Sequence, residues 1–199
     1  MREMVKMIVV ITLLAAFSGG LLAVVRDATA PQIESQKLKF VQGPTIQSIF
    51  AEADNLDTVL NDRFKIVDGD TETNFFIGVY DGKPSAVAFE ASAVGFGGPL
   101  GVMVAVNLDT DEMIGVGVTT SAETPGIGSR AKDEPELAAQ FTGLPLLQPF
   151  SVSADGGDID AISGATVTSK AVVAAVTSAG KIYENLKPQI LEKVGAFAG

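Results

Sequence analysis

Small and hydroxyl-bearing residues in a pattern typical of phosphate sites occupy the stretch from Asp160 to Ser169. Ser163, Gly164, Thr166 and Thr168 lie there, directly before a helical pattern of apolar residues. The first amides of a helix have no partner within it and lie at the positive end of its dipole, and small residues let a phosphate approach them. A hydroxyl at this place can bond a phosphate or be esterified by it. The alternative is an ordinary helix cap, in which Ser163 or Thr166 accepts from an amide of the next turn.

The composition excludes several kinds of catalysis. The chain of 199 residues has no histidine and no cysteine. It therefore has no imidazole to serve as a general base, no thiolate metal site and no disulfide. These absences favour a function in which a bound cofactor supplies the chemistry. The formal charge of −10 argues against a nucleic-acid partner.

The first apolar segment predicts a membrane anchor. Met7 to Val25 holds no charged residue, and a helix of that length spans about 28 Å, close to the hydrocarbon thickness of a bilayer. Arg2 and Lys6 precede the segment, which predicts a cytoplasmic N-terminus and a soluble part on the extracytoplasmic, periplasmic side of the inner membrane. The alternative is a cleaved signal peptide, for which Ala28-Thr29-Ala30 would be a cleavage site.

The remaining sequence predicts an α+β fold with a twisted, mainly antiparallel sheet and flanking helices. Gly43-Pro44 is expected to break a helical linker and Pro188 to end the last helix. The predicted segments are the anchor (1–28), the linker (29–62), the main domain (63–187) and a tail (188–199). Five runs predict the strands: Phe64–Val67, Phe75–Tyr80, Ala86–Ala91, Gly101–Asn107 and Met113–Thr119.

The pattern Asp160-x-x-Ser163-Gly164-Ala165-Thr166 resembles a known flavinylation motif. The motif belongs to FMN-binding domains of the G subunit of Rnf-type ion-translocating electron-transport complexes. It also occurs in the C subunit of the sodium-translocating NADH:quinone reductase. In both, a flavin transferase joins FMN through its phosphate to the last threonine. The resemblance implies a phosphoester on Thr166, recognition of Asp160, Ser163, Gly164 and Ala165, and phosphate neighbours among Thr168, Ser169 and Lys170.

Two further loops, which alone would be interpreted as a surface turn and a bulge, strengthen the resemblance. The loop Glu123-Thr124-Pro125-Gly126-Ile127-Gly128 is similar to the family's Glu-Thr-Pro-Gly-Leu-Gly loop, and Gly95–Pro99 to its Gly-aromatic-Gly-Gly stretch. The family places these loops against the flavin ring. Glu123 would accept from the ring's N3–H or cap its own loop, and Arg130 would balance the phosphate or the reduced flavin. From these two loops the resemblance implies further FMN-binding residues: Glu123, Thr124, Pro125, Gly126, Gly128, Gly97 and Gly98.

Many relatives carry a histidine just upstream of the glutamate, where this chain has Thr119, Thr120 and Ser121. A role of that histidine in proton handling is therefore not expected here. The resemblance implies an electron carrier that acts as an enzyme only as a subunit of a translocase, with other membrane subunits as partners and no metal. Three alternatives remain: the corresponding quinone-reductase component, an independent extracytoplasmic flavin carrier, and a non-redox ligand-binding or assembly domain.

Overall fold

The computed structural model describes residues 2–69 and 71–197. Its first helix, α1 (Arg2–Lys37), contains the predicted anchor and has no buried residue. Within the described residues it lies in the one helical segment long and apolar enough to cross a membrane, with a mean hydropathy of 2.6. A π-helical turn (Leu38–Gln42) and helix α2 (Gly43–Ile49) follow.

The expected break at Gly43-Pro44 does not occur, and helix α2 begins there instead. Pro44 lies in the first turn of this helix, directly after the π-helical turn. The chain divides into two compact units, one ending at Phe40 and the other beginning at Val41. The finer boundaries expected from the sequence remain a proposal.

The second unit is built on a five-stranded antiparallel sheet in the order β1-β2-β3-β4-β5. The strands are β1 (Arg63–Asp68), β2 (Thr71–Tyr80), β3 (Lys83–Val94), β4 (Pro99–Asn107) and β5 (Met113–Ser121). All five predicted runs form strands, which confirms the α+β interpretation. Asp81 and Gly82 both have positive φ at the β2–β3 turn, as the tight turn of a hairpin requires.

Both faces of the central strands are buried, because each face packs against a helix. Alternate residues of β4, such as Val102 and Val104, share one core with the last helix, α5 (Thr166–Phe197). The opposite face carries small residues. A Cβ at Gly117 would lie 2.4 Å from Thr45 Cγ2 of α2, so glycine permits this close packing.

Helix α5 runs through Pro188 and continues to Phe197, so the predicted stop at Pro188 is wrong. Proline forfeits one backbone hydrogen bond, but the continuing turns bury Ile190 and Val194 in the main core. That burial, at about 25 cal/mol per Å² of apolar surface, offsets the loss. The stretch after the predicted strands forms two short helices, α3 (Arg130–Asp133) and α4 (Glu136–Ala139), separated at Pro135.

Candidate functional site

A cavity of about 390 Å³ lies where the start of α5 meets two loops. The two loops connect β3 to β4 and β5 to α3, so the strands that precede them fix their origins. Because the buried face of α5 packs on β3 and β4, its first turn is also held in place. The lining residues are Phe96, Glu123, Thr124, Ile127, Gly128, Gly164, Ala165, Thr166, Val167 and Thr168.

The first turn of α5 presents free backbone amides to this cavity. Gly164 has a φ of +82°, and the Ala165 carbonyl accepts the first helical bond, from Ser169 N at 2.9 Å. Alanine therefore occupies the cap position, although it has no side-chain oxygen with which to cap. Among the described residues, nothing accepts from the amides of Thr166, Val167 and Thr168. The turn is thus uncapped and suited to an anion.

The three hydroxyls of this turn have different environments. Thr168 is 2% exposed and its Oγ1 donates to Glu123 Oε2 at 2.8 Å. The buried Ser169 Oγ accepts from Ile162 N at 2.9 Å and donates to the Ala165 carbonyl at 3.1 Å. Thr166 is exposed, and in the described chain its hydroxyl has no hydrogen-bond partner. Thr166 is therefore the hydroxyl of this turn that is accessible for reaction.

Glu123 is a buried carboxylate, 8% exposed, that joins the three segments around the cavity. Its Oε1 accepts from Gly97 N at 3.2 Å in the β3–β4 loop, while its Oε2 accepts from the hydroxyl of Thr168 in α5. Its own backbone belongs to the β5–α3 loop. Both oxygens therefore contact the protein itself.

Charged and hydroxyl side chains hold the segment that leads into α5. Arg130 Nη1 donates to the carbonyl of Ser163 at 3.1 Å, and Arg130 Nε donates to Glu134 at 2.8 Å. The hydrogen bond from Arg130, together with its charge, lowers the pKa of the Glu134 carboxyl. Asp160 accepts from Ser153 Oγ at 3.0 Å. Lys170, an expected phosphate neighbour, pairs with Asp155 at 2.8 Å.

Half of the predicted binding residues line the cavity, and the others lie in the same three segments around it. Ser163, Asp160 and Ser169 hold the approach to α5 through the contacts above. Gly126 has a φ of +74° in a turn that its amide closes on Ser129 Oγ at 2.9 Å. Pro125, Gly97 and Gly98 complete the set outside the lining.

The apolar part of the site is not among the residues that the sequence motifs identify. Phe96 is 74% exposed, Ile127 51% and Val167 54%, and all three line the cavity. Exposed large apolar side chains grouped around one cavity favour a ligand with a hydrophobic face. An aromatic residue between glycines and a valine directly after the predicted attachment threonine were the available signals.

The cavity thus combines an anion-binding end with an apolar wall, and its volume lies in the range of small-molecule and cofactor sites, about 300–1,000 Å³. FMN has a phosphate at one end and a flat aromatic ring at the other. The free amides of the α5 turn fit the phosphate, and the apolar side chains fit the ring. The residues present therefore fit this cofactor.

The comparisons with known proteins agree with the fit of FMN to this cavity. The FMN-binding domain family matches residues 95–181, a range that includes all three segments around the cavity. The G subunit of the ion-translocating oxidoreductase complex of Methanosarcina acetivorans is 31% identical over 180 residues, covering 89% of this chain and 93% of that protein. The protein of the same name from Shewanella oneidensis is 32% identical over 189 residues, covering 89% and 88%.

A solved structure shares the fold. The crystal structure of the C subunit of the Na⁺-translocating NADH-quinone reductase from Parabacteroides distasonis superposes with a TM-score of 0.53 at 22% identity. The match covers 72% of this chain and 91% of that one. At this identity the likeness concerns the architecture alone, namely the antiparallel sheet with its flanking helices.

Proposed function

The chain belongs to the family of G subunits of ion-translocating oxidoreductase complexes, and we propose that it is the membrane-anchored electron carrier of such a complex. We propose further that FMN is joined covalently to Thr166. The free and exposed Thr166 hydroxyl, beside uncapped amides on the cavity wall, carries this proposal. The bound flavin supplies electron transfer, one electron at a time. The protein holds the phosphate, orients the ring and keeps the cofactor from dissociating.

The attachment site follows from a comparison of the three hydroxyls on the first turn of α5, which lie beside the free amides. Esterification needs an oxygen that can attack the phosphorus atom of an activated flavin nucleotide held at the cavity. The hydroxyl would lose its proton, and the group joined to that phosphorus through an anhydride bond would leave. Thr168 and Ser169 are buried and engaged in hydrogen bonds, so their reaction would first require breaking those bonds. Thr166 needs no such step. The amides of Thr166, Val167 and Thr168 would then hold the remaining phosphate oxygens.

The apolar wall would receive the ring. Phe96 and Ile127 extend from two different loops toward one cavity, so a flat aromatic system can contact both and lose water on that side. The absence of a Cβ atom at Gly164, beside which the space is open, leaves room for its approach. The cavity is open to solvent at its mouth because these apolar residues are themselves exposed, which lets the ring edge approach a neighbouring redox centre.

We further propose partners and an orientation. In this proposal helix α1 anchors the chain, and the positive charges of Arg2 and Lys6 favour a cytoplasmic N-terminus. The site would then lie on the extracytoplasmic side, where a flavin transferase attaches the FMN. Ion translocation belongs to other membrane subunits of the same complex, since among the described residues one segment is long and apolar enough to span.

Mass spectrometry tests the attachment. The chain is purified from membranes of its host with flavin transferase active, and the peptide containing Thr166 is weighed. We expect the mass of wild type to be raised by one esterified FMN, and Thr166→Val to lack that increment. Thr142→Val, which removes another exposed hydroxyl, is the matched control and should keep it. An unmodified Thr166 in the wild type would overturn the proposal.

A further inference from the structure

The contacts of Glu123 differ from the role that the family resemblance implies. There it would accept from the N3–H of the flavin ring or cap its own loop. Here its oxygens accept from the amide of Gly97 and from the hydroxyl of Thr168. These donors come from segments that the sequence separates by 26 and 45 residues from the glutamate. The carboxylate is thus the link between them.

The surrounding glycines are arranged around this carboxylate. A Cβ added at Gly95 would lie 2.1 Å from Glu123 Oε1, and one added at Gly128 would lie 2.6 Å from Glu123 Oε2. Neither glycine has a positive φ, so backbone conformation does not require glycine at these positions. The space beside them is filled by the carboxylate instead. The local sequence therefore accommodates a fixed position of the Glu123 side chain.

We propose that Glu123 is a positioning residue, whose carboxylate holds the glycine loop (residues 95–98) against the first turn of α5 and so sets the width of the flavin cleft. The inference rests on the proposed function for the identity of the ligand. The bridge itself consists of protein groups only. With both oxygens held, Glu123 fixes Phe96 through its neighbour Gly97, and fixes Thr166 through Thr168 on the same helical turn.

A glutamine at this position separates geometry from charge. The amide oxygen of Glu123→Gln can accept from Gly97 N, while its NH₂ group donates to the Thr168 hydroxyl, which accepts as readily as it donates. The bridge therefore survives without its negative charge. Glu123→Ala removes both links, so no side chain at this position joins the glycine loop to α5. A role limited to direct contact with the flavin would leave the apoprotein unchanged in both variants.

Amide hydrogen exchange on the full-length protein in detergent tests the bridge, using protein made without flavin transferase. In Glu123→Ala we expect the loop at residues 95–98 to exchange faster by about tenfold or more, as loss of a hydrogen bond to a charged group predicts. The β1–β2 hairpin should be unaffected. Glu123→Gln should stay within about twofold of the wild type. Glu192→Ala, an exposed glutamate on α5, is the matched control.

A second measurement connects the bridge to the cleft. In protein carrying FMN, the circular dichroism of the flavin band should change in Glu123→Ala and be retained in Glu123→Gln. Unchanged exchange in Glu123→Ala, or a flavin band altered equally in both variants, would overturn the proposal. The exchange result needs no flavin, so a chain that never acquires FMN refutes the proposed function and leaves the bridge to be judged separately.

Discussion

The glycine at position 97 offers a quantitative test of how closely the two loops of the site approach. A Cβ at Gly97 would lie 2.2 Å from the Ala122 carbonyl oxygen and 3.0 Å from Glu123 Cα. Both contacts are with backbone, which no side-chain rotation relieves. Gly97→Ala therefore forces the loops apart by roughly 1 Å to reach ordinary contact distance.

The energetic cost follows from two effects. Inserting a methyl group into a filled space costs about 1–3 kcal/mol. The same displacement breaks the bond from Gly97 N to Glu123, already 3.2 Å long, and a hydrogen bond to a charged group contributes about 1.5–3 kcal/mol. The loop is exposed and relaxes in part, so we expect a combined loss of about 2 kcal/mol. For a domain of this size that lowers the Tm by about 4–8 °C.

Thermal unfolding of the full-length protein in detergent measures this effect. The chain has two tyrosines and no tryptophan, so near-ultraviolet circular dichroism reports on packing of the folded domain. Gly195→Ala is the matched control. Its Cβ would meet nothing within 4 Å in helix α5, and alanine is favoured over glycine in a helix by up to about 1 kcal/mol. If Gly97→Ala had the same Tm as Gly195→Ala, the close approach of the two loops would be refuted.

Two further predictions concern stability at low pH and membrane orientation. Burial would raise the pKa of Asp111, but hydrogen bonds from Lys187 and Tyr183 outweigh this effect and lower the pKa. The ionised Asp111 carboxylate therefore stabilises the folded state above its unfolded pKa of about 4. This stabilisation is lost as the pH falls through the lowered pKa of the folded state. Asp111→Asn, which tolerates the positive φ of this residue, should therefore lower the Tm at pH 7 by more than it does below about pH 4, and a constant difference across that range would contradict the assignment. The proposed orientation predicts that Thr142→Cys, the sole thiol in this cysteine-free chain, reacts with a membrane-impermeant maleimide in intact cells; labelling only after lysis would place the site in the cytoplasm.

The sheet was predictable because its signals are local. The apolar runs identified all five strands. The end of α5 was not predictable, since Pro188 is a local helix breaker whose effect is overridden by burial of Ile190 and Val194 against the core. A breaker predicts the cost of continuing a helix. It does not predict the apolar area that continuation buries.

The same distinction applies to the site. Its loops were identified from short motifs, and Glu123 was singled out as the one acid there. The partners of Glu123 depend on tertiary placement, because Gly97 and Thr168 reach it only when the β3–β4 loop and α5 converge. The apolar lining was missed for a related reason. Phe96, Ile127 and Val167 follow no common spacing, so their proximity appears only in the folded chain.

Helix α5 both packs in the core and forms part of the cavity wall. This combination explains why a cofactor would be attached at its first turn. The helix buries Val172, Val176 and Tyr183 in the main core, so its start cannot shift without disturbing packing throughout the domain. Covalent attachment there would place the phosphate on the best-fixed element of the site and remove the need for tight reversible binding. The remaining wall can then stay shallow and open, with exposed Phe96 and Ile127. An enclosed pocket would retain a free flavin better, but would increase the distance over which its electron must travel.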